Sequence, residues 1–201
     1  MASASNRRAD KYPLERLLEH ARKAPDKVWL VQPAGDSVRQ WTWAQATREI
    51  GRMAAALKAQ GWPQGSAIAI AGRNTAHWFM ADLAIQWAGH VTVGLYPKQA
   101  ASATTYILEH CEARAVFLGP MPDGAEFLAA IPDGVKTIRF PYVEAPHGDI
   151  DWDAMAQAES PLSSYDRPAP DALMTLIYTS GTTGHPKGVM MTYGGMAWTA
   201  Q

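Results

Sequence analysis

Cysteine is nearly absent. Cys111 is the only one in 201 residues, so no intramolecular disulfide can form and no cysteine-rich metal cage exists. Cys111 itself reads as a buried helical thiol, and a chain so poor in cysteine suits a reducing compartment. Excess charge is also missing. Eighteen Lys and Arg face nineteen Asp and Glu, for a formal charge of -1, which argues against a general nucleic-acid binder. No stretch approaches the ~18–20 uninterrupted apolar residues that span a bilayer. The most apolar helix candidate, Trp78–Ala88, is shorter and carries Asp82 and Gln86. The N-terminus, "MASASNRRADKYPLERLLEH", is basic but lacks the apolar stretch of a signal peptide. A cytoplasmic chain without a transmembrane segment is expected, with peripheral contact at a membrane surface left open. No internal repeat or low-complexity segment is evident. His77, His90 and His110 have no ligand spacing between them, so no metal site is assigned.

Apolar residues make up 47% of the chain, enough for a sizeable core. Pro13 suits the first turn of a helix, and Leu14, Leu17, Leu18 and Ala21 follow at helical spacing. "KVWLVQ" and "SVRQWTW" flank "PAGD", which predicts a hairpin. Thr42 and Gln45 fit a capping box. The helix they open puts Ile50, Met53, Ala54 and Leu57 on one face, and Gly61 ends it. Strands and helices then alternate. "SAIAIAG" is a strand, and Asn74 is expected to cap the helix "TAHWFMADLAIQWA". "VTVGLY" is a strand, and Ser102 opens the helix "ATTYILEHC". "RAVFLG" is a strand, Asp123 and Glu126 form a second candidate capping box, and "KTIRF" is a strand. This alternation predicts an α/β fold with a mainly parallel sheet covered by helices on both faces.

From Pro141 to Asp171 the character changes. Seven carboxylates (Glu144, Asp149, Asp151, Asp153, Glu159, Asp166, Asp171) accompany one Arg, with Pro161, Pro168 and Pro170 among them. They lack the spacing of a calcium loop, so a solvated connector with one short helix, "DWDAMAQA", is expected. Trp41, Trp43, Trp78 and Trp87 sit in or beside regular elements and read as packing residues. For Asp82, both a partnered position and a polar helix edge remain open.

"ALMTLIYT" is a further buried strand, and it runs into "YTSGTTGHPKG", Tyr178 to Gly188. Three Gly, three Thr, one Ser, one Pro and one Lys occupy these eleven positions. Such a loop can turn several backbone N–H groups towards one point, with glycines permitting close approach. Ser180, Thr182, Thr183 and Thr179 add hydroxyls, and Lys187 adds a cation. Convergent donors plus one cation describe an oxyanion site, most often for phosphate. The Walker pattern fails here, because counting from Gly181 puts Pro186 where the second Gly belongs, and Gly188 follows Lys187 in place of a hydroxyl residue. His185 reads as an exposed loop side chain. "VMMTYGGMAWTAQ" is expected to begin a helix, weakened by Gly194 and Gly195.

"YTSGTTGHPKGVM" resembles the ATP phosphate-binding signature of the adenylate-forming enzymes: acyl-CoA synthetases, luciferases and nonribosomal adenylation domains. "DKVWLV", "WTWAQATREIGRMAAALKAQGWPQGSAIAIAGRNTAHWFMADLAIQWAGHVTVGLYP" and "YILEHCEARAVFLG" are similar to the first subdomain of that family. "GLYP" and "ATTYILEHCEARAVF" most resemble bacterial long-chain fatty acyl-CoA synthetases. The resemblance implies ATP, Mg²⁺ and CoA as cofactors and a fatty acid as substrate. A carboxylate attacks the α-phosphate of MgATP, and CoA thiol then displaces AMP. Thr179, Ser180, Gly181, Thr182, Thr183 and Gly184 would cradle the phosphates, and Lys187 would be the cation that contacts them.

The resemblance also implies a truncated copy of the family's N-terminal domain. The carboxylate that helps hold Mg²⁺, the Asp that binds ribose and the C-terminal Lys of the family have no counterpart here. An acid–CoA ligase parent, with a 201-residue portion that is inactive alone and prone to self-association, is therefore expected. The expected organisation is residues 1–64 as helix, hairpin and helix packed on the sheet, 65–140 as a βαβ subdomain, 141–171 as the acidic connector, and 172–201 as strand, phosphate loop and the start of a helix. Two other readings stand beside it: a stand-alone nucleotide-binding or scaffolding module, and an adenylating enzyme for an aryl or amino acid.

Overall fold

The computed structural model describes residues 11–35, 37–179 and 185–199. In chain order the elements are α1 (Pro13–Lys23), β1 (Val28–Ala34), β2 (Ser37–Thr42), α2 (Trp43–Ala59), β3 (Ala67–Ala71), α3 (Ala76–Trp87), β4 (Val91–Leu95), α4 (Ala101–His110), β5 (Ala115–Leu118), α5 (Gly124–Ala129), β6 (Lys136–Arg139), β7 (Ile150–Asp151), α6 (Trp152–Gln157), β8 (Leu173–Thr179), β9 (Lys187–Thr192) and α7 (Tyr193–Thr199). β1 and β2 form an antiparallel hairpin. The other strands form one sheet in the order β7-β6-β5-β3-β4-β8-β9, in which only the β8–β9 pair is antiparallel. The expected α/β fold with a mainly parallel, doubly covered sheet is therefore present.

The centre of the sheet follows from "AIAIA". All five residues of β3 are buried, as a parallel strand covered on both faces requires. Ile68 and Ile70 face α2, α3 and α6, where Ile50, Met53, Met80, Ile85 and Trp152 pack with them. Ala67, Ala69 and Ala71 face α4 and α5, against Ile107, Leu108 and Phe127. The chain leaves β3 for β4 on one side and then crosses to β5 on the other, so β3 and β5 flank a switch point of the kind where α/β sheets often bind ligands. Here that crevice is sealed. Gly119 N–H donates to Ala71 C=O at 2.7 Å, and Arg73 N–H donates to Pro120 C=O at 2.8 Å. A Cβ on Gly72, whose φ is +132°, would lie 2.6 Å from Gly119 Cα.

Several local expectations hold. Thr42 and Gln45 cap α2 reciprocally at 3.3 and 2.9 Å, and Gly61 follows α2 with a φ of +70°. Others need correction. Thr75 caps α3 in place of Asn74, its Oγ1 accepting from Trp78 N–H at 3.2 Å. Ser102 lies inside α4, whose N-cap is Ala100. Asp123 precedes α5 but makes no side-chain cap hydrogen bond, so no second capping box forms. Residues 187–192 form a strand rather than a helix start, and the helix begins at Tyr193.

The acidic segment does more than connect. β7 extends the sheet beside β6, and Trp152 is fully buried. Farther along, Leu162 N–H bonds Gly51 C=O, and Trp87 Nε1 donates to Ser164 C=O at 2.7 Å. β8 is paired with β4 on one side and β9 on the other. Among the described residues, no helix is long and apolar enough to cross a membrane.

Candidate nucleotide-phosphate site

The Gly/Thr loop is the connection of a β-hairpin. β8 and β9 pair antiparallel, with Thr179 opposite Lys187, Tyr178 opposite Gly188 and Ile177 opposite Val189. Of the expected phosphate ligands, Ser180, Gly181, Thr182, Thr183 and Gly184 lie outside the described residues. Thr179 and Lys187 are placed, and they sit as an exposed pair at the mouth of the loop. Opposed residues share a face of the sheet, so the hydroxyl and the ammonium stand side by side. Lys187 makes no ion pair among the described residues. A free cation beside a loop rich in hydroxyls and backbone N–H groups fits a polyphosphate.

Both ends of the loop rest on α4. On the face opposite the Thr179–Lys187 pair, Tyr178 is buried and its hydroxyl lies 2.7 Å from His110 Nδ1. Burial first, and then the nearby Cys111 and Tyr106, push the Tyr178 phenol up to about 12, so it stays neutral and available as a donor. The Tyr178 ring covers Gly188, where an added Cβ would stand 3.1 Å from Tyr178 Cζ. Past the loop, His185 stacks on Tyr106 at 4.7 Å between ring centroids, and Tyr106 in turn lies 5.4 Å from the His110 ring. His185 is exposed as expected, but it is held by this stack. Sequence reasoning missed Tyr106, His110 and Gly188. Gly188 was the detectable one, since a signature that ends on Gly implies a close neighbour.

Beside the loop, the C-terminal ends of β3, β4 and β8 line a cleft of about 370 Å³ with walls that include Trp78, Leu95, Tyr96, Ile177, Tyr178 and Met196. Asp82 and Thr92 lie at this cleft, and Thr92 Oγ1 donates to Asp82 Oδ1 at 2.7 Å. Asp82 is thus partnered. Burial outweighs that hydrogen bond and raises its carboxyl above the usual range. Trp78 lines the cleft, whereas Trp41 is buried, Trp43 stacks between His20 and Trp29, and Trp87 is tied to Ser164. Cys111 is partly buried, and burial pushes its thiol up to about 11, so it is poorly suited to nucleophilic work. Among the described residues, no group of three His, Cys, Asp or Glu could hold a metal ion.

The model of the AMP-binding enzyme family matches residues 17–201. The chain belongs to the AMP-binding enzyme family. Among its relatives, the long-chain-fatty-acid–CoA ligase ACSBG2 of Xenopus laevis is 30% identical over 193 residues, covering 90% of this chain and 26% of the relative. The long-chain-fatty-acid–CoA ligase FadD15 of Mycobacterium bovis is 31% identical over 185 residues, covering 88% and 30%. The acetoacetyl-CoA synthetase from Streptomyces lividans superposes with a TM-score of 0.78 at 26% identity, covering 92% of this chain and 31% of that one. The anthranilate CoA ligase AuaEII, in complex with anthranoyl-AMP, superposes at 0.76 and 21% identity, covering 91% and 35%; this likeness shows the shared fold alone. The chain spans about a quarter to a third of the length of these AMP-binding relatives.

Proposed function

We propose that this chain is the nucleotide-phosphate half of an ATP-dependent fatty acid–CoA ligase, in which the β8–β9 hairpin loop holds the β- and γ-phosphates of ATP. The observation that carries the reading is the loop mouth. Thr179 and Lys187 stand paired, with no side-chain hydrogen bond or ion pair among the described residues, above a base fixed to α4 by Tyr178–His110 and His185–Tyr106. Lys187, Thr179 and the residues 180–184 would orient the phosphates and offset charge on the departing pyrophosphate. Bound ATP supplies the activated phosphorus, and Mg²⁺ with CoA completes the family's cofactor set.

A fatty acid as substrate is supported by the relatives' names and by the apolar cleft beside the loop. Residues 1–201 alone hold no acidic metal cluster among those described, and the absence of turnover by this portion is part of the proposal. The portion also exposes a route to self-association. β9 is the outer strand of the sheet, and Val189 and Met190 on it are 46% and 68% exposed, the features of a strand that pairs with another copy.

Pyrophosphate release by the whole protein, measured against fatty, aryl and amino acids, tests the substrate class. Selective release with fatty acids is expected, and selective release with aryl or amino acids would overturn it. Acyl-CoA formation by residues 1–201 would refute the claim that this portion is inactive.

A further inference from the structure

A second charged site lies away from the hairpin loop, where β2, α2 and α6 meet. A pocket of about 200 Å³ is lined by Arg39 of β2, by Gln45, Arg48 and Arg52 of α2, and by Asp153 of α6. Arg48 and Arg52 are one helical turn apart, so their side chains lie on one face of α2. Neither makes a hydrogen bond or ion pair among the described residues. Arg52 Nε is shielded from solvent and has no acceptor among the described residues, a state that costs free energy until an acceptor arrives.

The other lining groups point the same way. The Arg39 guanidinium lies 4.3 Å above the Trp41 ring, which fixes it by a cation–π contact. Gln45 uses its Oε1 in the α2 cap, accepting from Thr42 N–H, and its amide N–H groups remain as donors. Glu49 also borders the pocket, and its Oε2 lies 3.9 Å from an Arg39 terminal nitrogen, a loose ion pair that partly offsets the Arg39 charge. The Glu49 carboxylate accepts from Trp41 Nε1 and Trp152 Nε1, each at 2.9 Å, and His77 Nε2 lies 3.2 Å away. Asp153 is exposed and makes no ion pair among the described residues. The site therefore offers the Arg48 and Arg52 guanidinium groups, unpaired among the described residues, and an Arg39 shared loosely with Glu49, against the exposed carboxylate of Asp153.

We propose that this pocket binds a small dianion carrying a phosphoryl group. Guanidinium forks arriving from two elements suit a tetrahedral oxyanion better than a planar carboxylate, which one fork would satisfy. The volume is below the ~300–1,000 Å³ of pockets for drug-sized ligands, which limits the ligand to a phosphate and a few further atoms. The free phosphoryl group of a small metabolite and a lipid headgroup share this chemistry.

The test follows the arginine Nε–Hε signals of residues 1–201 by NMR. Inorganic phosphate, glycerol 3-phosphate, and phosphatidylcholine vesicles with or without phosphatidic acid are added at constant ionic strength set with chloride. Saturable shifts of the Arg48 and Arg52 signals, with a Kd of about 1 mM or tighter, are expected. Saturation by the soluble probes assigns a metabolite. Saturation only by phosphatidic acid vesicles assigns a headgroup. Arg48→Gln with Arg52→Gln should weaken binding by roughly tenfold or more. Asp153→Asn, which removes the opposing charge, should tighten it, and this gain does not depend on how well the double variant folds. Lys187→Ala should leave it unchanged, which separates this pocket from the hairpin loop. Linear shifts with every probe, or saturation that the double variant and Asp153→Asn leave unaltered, would overturn the proposal.

Discussion

Gly188→Ala is the sharpest perturbation of the loop's foundation. A Cβ at this position would stand 3.1 Å from Tyr178 Cζ and 3.4 Å from Tyr178 Oη. The ring must therefore move by a few tenths of an ångström. It cannot do so freely, because Tyr178 is 5% exposed and its hydroxyl is bound to His110 Nδ1 at 2.7 Å. Crowding a packed site costs roughly 1–3 kcal/mol, and a weakened hydrogen bond adds about 0.5–1.5 kcal/mol. A loss of about 2 kcal/mol is expected. For a chain of this size that corresponds to a fall in Tm of roughly 4–8 °C. Thermal and urea unfolding followed by circular dichroism measure it. Tyr178→Leu in the Gly188→Ala background removes the ring and should recover part of the loss. A Gly188→Ala protein within about 0.5 kcal/mol of the parent, the range of an ordinary surface change, would refute the claim that Tyr178 packs against Gly188.

Asp82→Asn tests the buried carboxyl beside the cleft. With its pKa raised by burial, Asp82 holds a proton in the folded state that the unfolded chain releases above about pH 4. Its contribution is complete below that pH and is lost as pH rises towards the folded pKa. Asp82→Asn should therefore stabilise the protein at neutral pH, with the gain vanishing near pH 4 in urea titrations at a series of pH values. Glu49 has the opposite sign. Burial opposes its ionisation, but hydrogen bonds from His77, Trp152 and Trp41 outweigh burial and lower its pKa. Its ionisation stabilises the fold above about pH 4.5 and is lost as pH falls through the lower folded value. Glu49→Ala should cost about 3–5 kcal/mol at pH 7, since it strands a buried histidine and two indole donors, and equilibrium unfolding checks it.

Much of the fold was legible because local chemistry and tertiary packing agree. The β1–β2 hairpin, the Thr42–Gln45 cap and the fully apolar β3 each follow from short-range pattern. The misplaced caps have a common cause. Asn74 and Thr75 are both good cap residues, and only the direction of the entering chain selects between them. "KGVMMT" is a short apolar run, and such runs do not distinguish strand from helix by period alone. Pairing with β8 decides it. The contacts under the loop bring residues 106 and 110 of α4 against residues 178, 185 and 188, a segment far away in sequence, and no periodic signal links the two. Arg39 lies on β2 just before α2, but Asp153 meets α2 only after β7 and α6 fold back along the helical layer. For the loop itself the residue types were the signal, and the hairpin that presents them was not legible.

The central claim is that the mouth formed by Thr179 and Lys187 receives the phosphates of ATP. Phosphorus NMR of ATP titrated with residues 1–201 tests it most directly. The β- and γ-phosphorus signals should shift saturably. Lys187→Ala should weaken that binding by roughly 10- to 150-fold, the loss of one charge-assisted contact of about 1.5–3 kcal/mol, while melting at the parent temperature. Equal ATP affinity in the parent and Lys187→Ala proteins, or shifts confined to the adenosine end of the nucleotide, would contradict the account.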